Sequence, residues 1–307
     1  MPKYLITGGA GFIGSHLADL LTKEGDEVIV LDDLSTGSLD NLPQNKSVTF
    51  TKGTILDKNI LEKAFHNLDG VFHLAAVASV QKSISNWHYC HEVNSTGTIN
   101  IFLEALKSNI PVVYTSSAAI YGDSANLPLT ENSDAKPMSP YAIDKYTSEL
   151  QAKAFGKLKN LKTFGLRLFN VYGSRQNTDS DYSGVISIFR NAAQNDKEIV
   201  IFGDGEQTRD FIHVSDVVIA LKKAMPAASA EAPIVNLCTG KASSINHLAS
   251  IISAGNIKHM DAQVGSIKDS LGSPKLAEEI LGFKAKVSLE EGIKDYCRID
   301  VISEKTS

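Results

Sequence analysis

The run Leu5-Ile-Thr-Gly-Gly-Ala-Gly-Phe-Ile-Gly-Ser-His-Leu17 leaves this chain few folds to choose from. A short apolar strand breaks into glycines at 8, 9, 11 and 14, and an apolar-periodic helix follows at once. The spacing satisfies G-x-G-x-x-G, in which glycines permit a tight turn and close backbone approach to a pyrophosphate. The helix N-terminus then supplies N–H donors and a positive dipole. A second strand, Val28-Ile-Val-Leu31, ends in Asp32-Asp33. An acidic side chain there accepts from the adenosine ribose hydroxyls and repels a 2′-phosphate. No Lys or Arg lies between Asp32 and Lys46, so the pattern favours NAD over NADP.

Further strands are expected at Val48–Thr51, Val71–Leu74, Val112–Thr115 and Thr163–Leu168, besides Tyr4–Thr7 and Val28–Leu31. Helices are expected at Ile13–Glu24, Lys58–Phe65, Asn94–Lys107 and Ala142–Gly156. Apolar strands alternating with helices predict an α/β fold with a doubly wound parallel sheet. The rhythm breaks after Asn170, in the polar loop Gly173–Ser183, and a helix follows at Val185–Gln194. The reading is a dinucleotide-binding domain over 1–170 and a smaller lobe over 171–307, with about 211–239 rejoining the first. A cleft at the carboxyl ends of the strands is where such sheets bind ligands.

Composition removes other classes. A net charge of -5 and the absence of any basic block argue against a nucleic-acid partner. Cys90, Cys238 and Cys297 are odd in number and far apart, which suits reduced thiols rather than disulfides, and no Cys/His spacing suggests a metal. No apolar run reaches membrane-spanning length and the N-terminus enters a strand without an apolar leader. The expectation is a soluble, cytoplasmic protein.

Tyr141-Ala-Ile-Asp-Lys145 supplies chemistry. On a helix, residues four apart share a face, so a phenol and an ammonium enter the same space, where the cation should depress the tyrosine pKa. The spacing is common by chance and gains meaning from its company. The buried run Val112–Gly122 delivers Ser116 and Ser117 to the carboxyl end of its strand, the edge where the dinucleotide turn also lies. His73 and His213 read as packed histidines, and Trp87, Tyr89 and His91 as helix packing. Tyr114 and Tyr121 read as core or pocket wall, with Tyr121 able to approach a substrate.

These motifs together resemble the extended short-chain dehydrogenase/reductase family, in its NAD-dependent epimerase/dehydratase branch. The likeness continues through His-Leu-Ala-Ala at 73–76, Ser-Ser-Ala-Ala-Ile-Tyr-Gly at 116–122, Leu-Arg-Leu-Phe-Asn-Val-Tyr-Gly at 166–173 and Asp-Gly-Glu-Gln-Thr-Arg-Asp at 204–210. It implies a Rossmann-type fold with a C-terminal substrate-binding lobe, bound NAD, a nucleotide-sugar substrate and a homodimer pairing through the two long helices. Tyr141 matches the family acid/base, Lys145 the residue that binds nicotinamide ribose, and Ser117 the hydroxyl on the reacting oxygen. Cofactor contacts are implied for Gly8, Gly11, Phe12, Ile13 and Gly14, for Asp32, Asp33, Ser35, Thr36 and Gly37, and for Thr54 and Ile55. Leu74, Ala75 and Ala76 complete that set. Substrate contacts are implied for Ser79, Ser116, Asn170, Val185, Phe202, Arg209, Gln263 and Ser270.

Within the branch, dehydratases carry an acid pair after the hydroxyl residue; Ala118 and Ala119 stand there and cannot transfer protons. The closest likeness is to UDP-hexose 4-epimerases, particularly those acting on N-acetylated sugars, with Ser270 where a small residue leaves room for a 2-acetamido group. Alternatives are a nucleotide-sugar 4-ketoreductase, a UDP-glucuronate decarboxylase, or a non-catalytic NAD-binding regulatory protein. Two departures stand out: Gln263-Val-Gly-Ser266 replaces an Arg-x-Gly-Asp pattern, and Thr54 stands where the family has aspartate. An ion pair of Arg209 with Asp210 or Asp216 is the competing reading for that arginine.

Overall fold

The computed structural model describes residues 1–176, 184–252, 257–262 and 267–303. The order runs β1 (Lys3–Thr7), α1 (Phe12–Lys23), β2 (Glu27–Asp32), β3 (Val48–Lys52), α2 (Lys58–Ala64), β4 (Gly70–His73), α3 (Val80–Ser85) and α4 (Trp87–His91). A π-turn at Glu92–Thr96 leads into α5 (Gly97–Ser108), then β5 (Val112–Ser117), a 3₁₀ turn at Ala118–Tyr121, α6 (Pro140–Lys159), β6 (Thr163–Leu168) and β7 (Asn170–Tyr172). There follow α7 (Val185–Gln194), β8 (Ile199–Phe202), β9 (Thr208–His213), α8 (Val214–Ala227), β10 (Ile234–Leu237), β11 (Ala242–Ser244) and α9 (Ile245–Ile252). β12 (Ile257–Met260), α10 (Lys275–Leu281) and α11 (Leu289–Ser303) close the chain.

Among the described residues, seven strands form one sheet in the order β10-β6-β5-β4-β1-β2-β3, parallel throughout. This is the doubly wound α/β fold. Helices cover both faces because the central strands are apolar on both. On one side Leu17, Ala18 and Leu21 of α1 share an apolar cluster with Val217, Ala220 and Leu221 of α8. On the other, Ile101, Phe102 and Ala105 of α5 pack with Leu5, Val71 and Tyr114. Strand order reverses beside β1, where β2 lies on one side and β4 on the other, and this switch point opens the ligand crevice.

The helix expected at Asn94–Lys107 is interrupted by the π-turn. Asn94 exchanges hydrogen bonds with the backbone of Val77 (Oδ1 from its N–H at 2.8 Å, Nδ2 to its carbonyl at 3.2 Å), and this holds the wider turn in place. The later segments build a second, smaller cluster from Tyr172, Phe189, Ile201, Phe211, Leu248 and Tyr296. The sheet β7-β9-β11 and the pair β8–β12 frame it. Ile212 and His213 end β9, and α8 begins directly at Val214. Asp210, fully buried on β9, accepts from Thr239 N at 2.8 Å, Thr239 Oγ1 at 2.6 Å, Gly240 N at 2.9 Å and Gly272 N at 3.3 Å.

His73 is a packed histidine. Its ring bridges Thr7 Oγ1 at 2.8 Å and Thr98 Oγ1 at 3.0 Å, tying β4 to β1 and α5. Burial first, and then the charge of Lys145, lower its pKa from 6.5 to about 3. Between those values the unfolded chain binds a proton that the folded chain refuses, so stability is present above 6.5 and drains as pH falls towards 3. Denaturant titrations of wild type and His73→Asn at stepped pH should show the wild type losing stability relative to the variant across this window. Parallel pH curves would contradict the buried neutral imidazole.

Candidate active site

The glycine turn is built by local necessity. Gly8 has φ of +71°, and a Cβ there would meet the Ala75 backbone nitrogen at 2.7 Å. A Cβ on Gly14 would collide with the Gly8 carbonyl, whereas one on Gly11 meets only that carbonyl, at 3.2 Å. The first turn of α1 begins at Gly11 with no capping side chain, and its open side faces a cavity of about 400 Å³. Gly8, Gly11, Phe12, Ile13, Gly14, Asp32, Asp33, Ser35 and Thr36 line that cavity, as do Thr54, Ile55, Leu74, Ala75 and Ala76. Gly37 stands behind them: a Cβ there would press on the Ala10 backbone at 2.8 Å.

Asp32 is held by N–H donors from Ala10 at 3.0 Å and Leu34 at 2.8 Å. Burial raises its pKa, and those hydrogen bonds oppose the rise. An acidic side chain at one end of the cavity, with an uncapped helix start beside it, fits the ribose and pyrophosphate of a dinucleotide. Thr54 in place of an aspartate still presents a hydroxyl at the cavity wall and accepts from Leu56 N at 3.3 Å.

Tyr141, Lys145, Ser116 and Ser117 line the same cavity. Tyr141 and Lys145 sit in the first turns of α6, capped by Ser139 with Pro140 at the first position. Lys145 is buried and Tyr141 half-buried against β5, with Ser117 beside the Tyr141 phenol. Lys145 Nζ donates to the Thr115 carbonyl at 2.8 Å and lies 5.9 Å from the centre of the Tyr141 ring. Burial lowers its pKa from 10.5 to about 8, with Asp144 pulling the other way.

Here the structure departs from the sequence expectation. Burial pushes the phenol of Tyr141 up, and the relief comes from the neighbouring Ser117 rather than from a lysine cation. The burial that brings the pair together also penalises both charged forms. Two other expected roles shift. The Ser116 hydroxyl is turned away from the crevice and donates to Glu149 Oε1 at 2.5 Å. Tyr121 is fully buried, donating to Asn236 Oδ1 at 2.6 Å and accepting from Arg167 at 2.7 Å, so it does not reach a substrate.

A second cavity of about 170 Å³ adjoins the first at Ser117 and is lined by Ala118, Ala119, Asn170, Arg209, Asp269 and Ser270, among others. Arg209 makes no ion pair with Asp210 or Asp216. Its guanidinium donates to the carbonyls of Thr208 at 2.7 Å, Lys268 at 3.1 Å and Ile267 at 2.7 Å. The carboxylate of Asp210 is used by residues 239, 240 and 272, and that of Asp216 by the backbone of Lys286 and Val287. Ser79, Val185 and Phe202 fall outside both cavities. Ser79 caps α3, Val185 starts α7 against the second cluster, and Phe202 ends β8 half in solvent. Gln263 and Ser266 lie outside the described residues.

Sequence reasoning missed Tyr89 and Gln176 in the first cavity and Asp269 in the second. Asp269 Oδ1 accepts from Thr208 Oγ1 at 2.8 Å, where residue 269 bridges β9. No local pattern marks it, because strand contact across sixty positions brings it in.

The sequence model of the NAD dependent epimerase/dehydratase family matches residues 4–238. The chain belongs to that family. Membership makes it an NAD-dependent enzyme, in agreement with the fit of the glycine turn and Asp32. The UDP-glucose 4-epimerase of Mycolicibacterium smegmatis is 35% identical, with 95% of this chain and 96% of that protein covered. A UDP-N-acetyl-alpha-D-glucosaminuronate decarboxylase of Bacillus cytotoxicus is 33% identical, covering 95% of each. The structure of the Thermotoga maritima UDP-glucose 4-epimerase with UDP-glucose superposes with a TM-score of 0.94 at 35% identity, covering 98% of this chain and 99% of that one. A UDP-N-acetylglucosamine 4-epimerase from Methanobrevibacter ruminantium, in complex with UDP-N-acetylmuramic acid, gives 0.92 at 36% identity and the same coverage.

The depressed lysine is open to measurement. In the family member described here, one lysine ammonium should titrate near pH 8 by nitrogen-detected NMR, and that signal should vanish in Lys145→Met. Because the unfolded chain holds that proton up to about 10.5, the folded state gains stability as pH rises from about 8 towards 10.5. A Lys145 signal titrating near 10.5 would show that the ammonium is solvated.

Proposed function

We propose that the protein is a 4-epimerase of UDP-hexoses, including UDP-N-acetylhexosamines, that acts through a transient 4-keto sugar. The neighbouring Ser117 and Tyr141 carry the reading, set where the dinucleotide cavity meets the second cavity and flanked there by Ala118 and Ala119. Gly8, Gly11, Gly14 and Asp32 would hold the dinucleotide, and Lys145 would meet its nicotinamide ribose. Bound NAD supplies a reversible acceptor for the C4 hydride. Tyr141 takes the proton of the sugar 4-hydroxyl and returns it, while Ser117 hydrogen-bonds the same oxygen as it changes between hydroxyl and carbonyl. Elimination of water across C5–C6 needs a further acid and base, and two alanines supply neither. In the second cavity Asn170 and Arg209 suit a diphosphate, since guanidinium matches phosphate geometry. Ser270, small and at the wall, leaves space for a 2-acetamido group.

Incubation with UDP-glucose and with UDP-N-acetylglucosamine, without added cofactor, should yield the C4 epimers by NMR. Tyr141→Phe should lose about 10²–10⁴-fold in turnover while keeping bound NAD. No product from any UDP-hexose, even with NAD supplied, would overturn the reading.

A decarboxylase acting on a uronate sugar is the second reading, and Asp269 speaks against it. A carboxylate in the wall beside Arg209 offsets that cation's charge and repels a sugar bearing its own carboxylate. Asp269→Asn should therefore raise kcat/KM for UDP-glucuronate relative to UDP-glucose by about fivefold, the roughly 1 kcal/mol of one partly screened like-charge contact. Release of carbon dioxide from UDP-glucuronate by the wild type would favour the second reading instead.

A further inference from the structure

Three consecutive residues at the end of β5 are each tied to α6, and the helix residues that hold them lie one turn apart. The Thr115 carbonyl accepts from Lys145 Nζ at 2.8 Å. Ser116 Oγ donates to Glu149 Oε1 at 2.5 Å. Ser117 stands beside the Tyr141 phenol, close enough to draw its pKa down. Residues 141, 145 and 149 recur every fourth position and so present one face of the helix to the strand end. The proposed chemistry uses the Lys145 and Tyr141 contacts. The Ser116–Glu149 contact meets neither sugar nor cofactor, yet it is the most firmly anchored of the three.

Glu149 is fully buried, and both its oxygens are gripped by Arg167, from Nε at 2.9 Å and Nη2 at 2.8 Å. Arg167 Nη1 reaches on to the Tyr121 hydroxyl at 2.7 Å and the Glu131 carbonyl at 3.2 Å. Tyr121 in turn donates to Asn236 Oδ1 on β10 at 2.6 Å. One carboxylate thus joins β5, α6, β6, the 3₁₀ turn and β10. A buried ion pair of this kind returns little net stability after desolvation, but it fixes position, because each partner is costly to strand.

We infer that Ser116 and Glu149 are positioning residues, holding the end of β5 at the height on α6 where Ser117 meets Tyr141. Arg167 and Tyr121 hold Glu149 rigid. Without the Ser116 hydroxyl, the end of β5 loses its hydrogen bond to the third turn of that helix face, and the serine–phenol contact loosens. The inference rests on the epimerase reading for its kinetic consequences, though not for its geometry.

Ser116→Ala is the sharpest test, since it removes the hydroxyl and leaves the Glu149–Arg167 pair in place. Per folded molecule, kcat for the UDP-hexose should fall by about tenfold or more, as small misplacements of reacting groups do, with KM little changed. Ser116→Thr keeps the oxygen and should restore turnover. Crystal structures should show the Ser117 and Tyr141 hydroxyls farther apart in the alanine form than in the wild type, and as close as in the wild type in the threonine form. Unchanged kcat with a lowered melting temperature would reduce Ser116 to a structural residue and overturn the inference. A rise in KM at constant kcat would also overturn it, by placing the hydroxyl on the substrate. If the wild type turns over no UDP-hexose, the epimerase reading fails by itself. The crystal structures still decide the geometry, because an unchanged Ser117–Tyr141 separation in Ser116→Ala refutes it.

Discussion

Parallel pairing of β1, β4 and β5 is the constraint from which the site follows. Thr7 stands level with His73, and His73 with Tyr114, so these strands end at one edge. Parallel strands need long crossovers, and the crossovers here are α1, α5 and α6, whose N-termini or first turns come back to that same edge. The glycine turn after β1, the Ala75–Ala76 segment after β4 and the serines that end β5 therefore meet around one crevice with no further instruction. The His73 bridge between Thr7 and Thr98 keeps the strand ends level from within, without exposing a charge to the core.

Burial then decides the electrostatics. Tyr141 and Lys145 pack from α6 against β5, and burial moves Tyr141 up and Lys145 down, each towards its neutral form. The resting site keeps the proton on the phenol and weakens the hold of lysine on its own. The hydrogen bond to the Thr115 carbonyl and the approach of Ser117 to the phenol, rather than a phenolate–ammonium attraction, define where the two groups sit. Asp32 obeys the same rule: burial raises it, and backbone N–H groups bring it back.

Much of this was legible in the sequence because it is local. Glycine spacing, an acidic strand end and a Tyr-x-x-x-Lys step each reveal themselves within a dozen residues, and strand–helix alternation follows from apolar periodicity. Helix Asn94–Lys107 was misjudged at its start because the π-turn depends on Asn94 pairing with Val77, seventeen positions away. Along the chain Ser116 reads as a substrate residue, because no partner for it lies nearby in sequence; only the fold shows Glu149 taking its hydroxyl. The spacing of Lys145 predicts a lowered tyrosine pKa, since sequence shows charge but not burial. Asp269 and Tyr89 carry no motif at all. The rule in each case is that contacts made across the fold escape a reading made along the chain.

Asp210 has a bearing on how this chain can vary in length. Its carboxylate takes donors from residues 239, 240 and 272, three points that sequence alone would leave in ordinary connecting loops. An insertion beside any of them would pull an N–H away and leave a fully buried acid short of partners. Loops that usually absorb insertions freely are closed to them here, and growth or trimming of the chain is directed to connections that no buried carboxylate counts on.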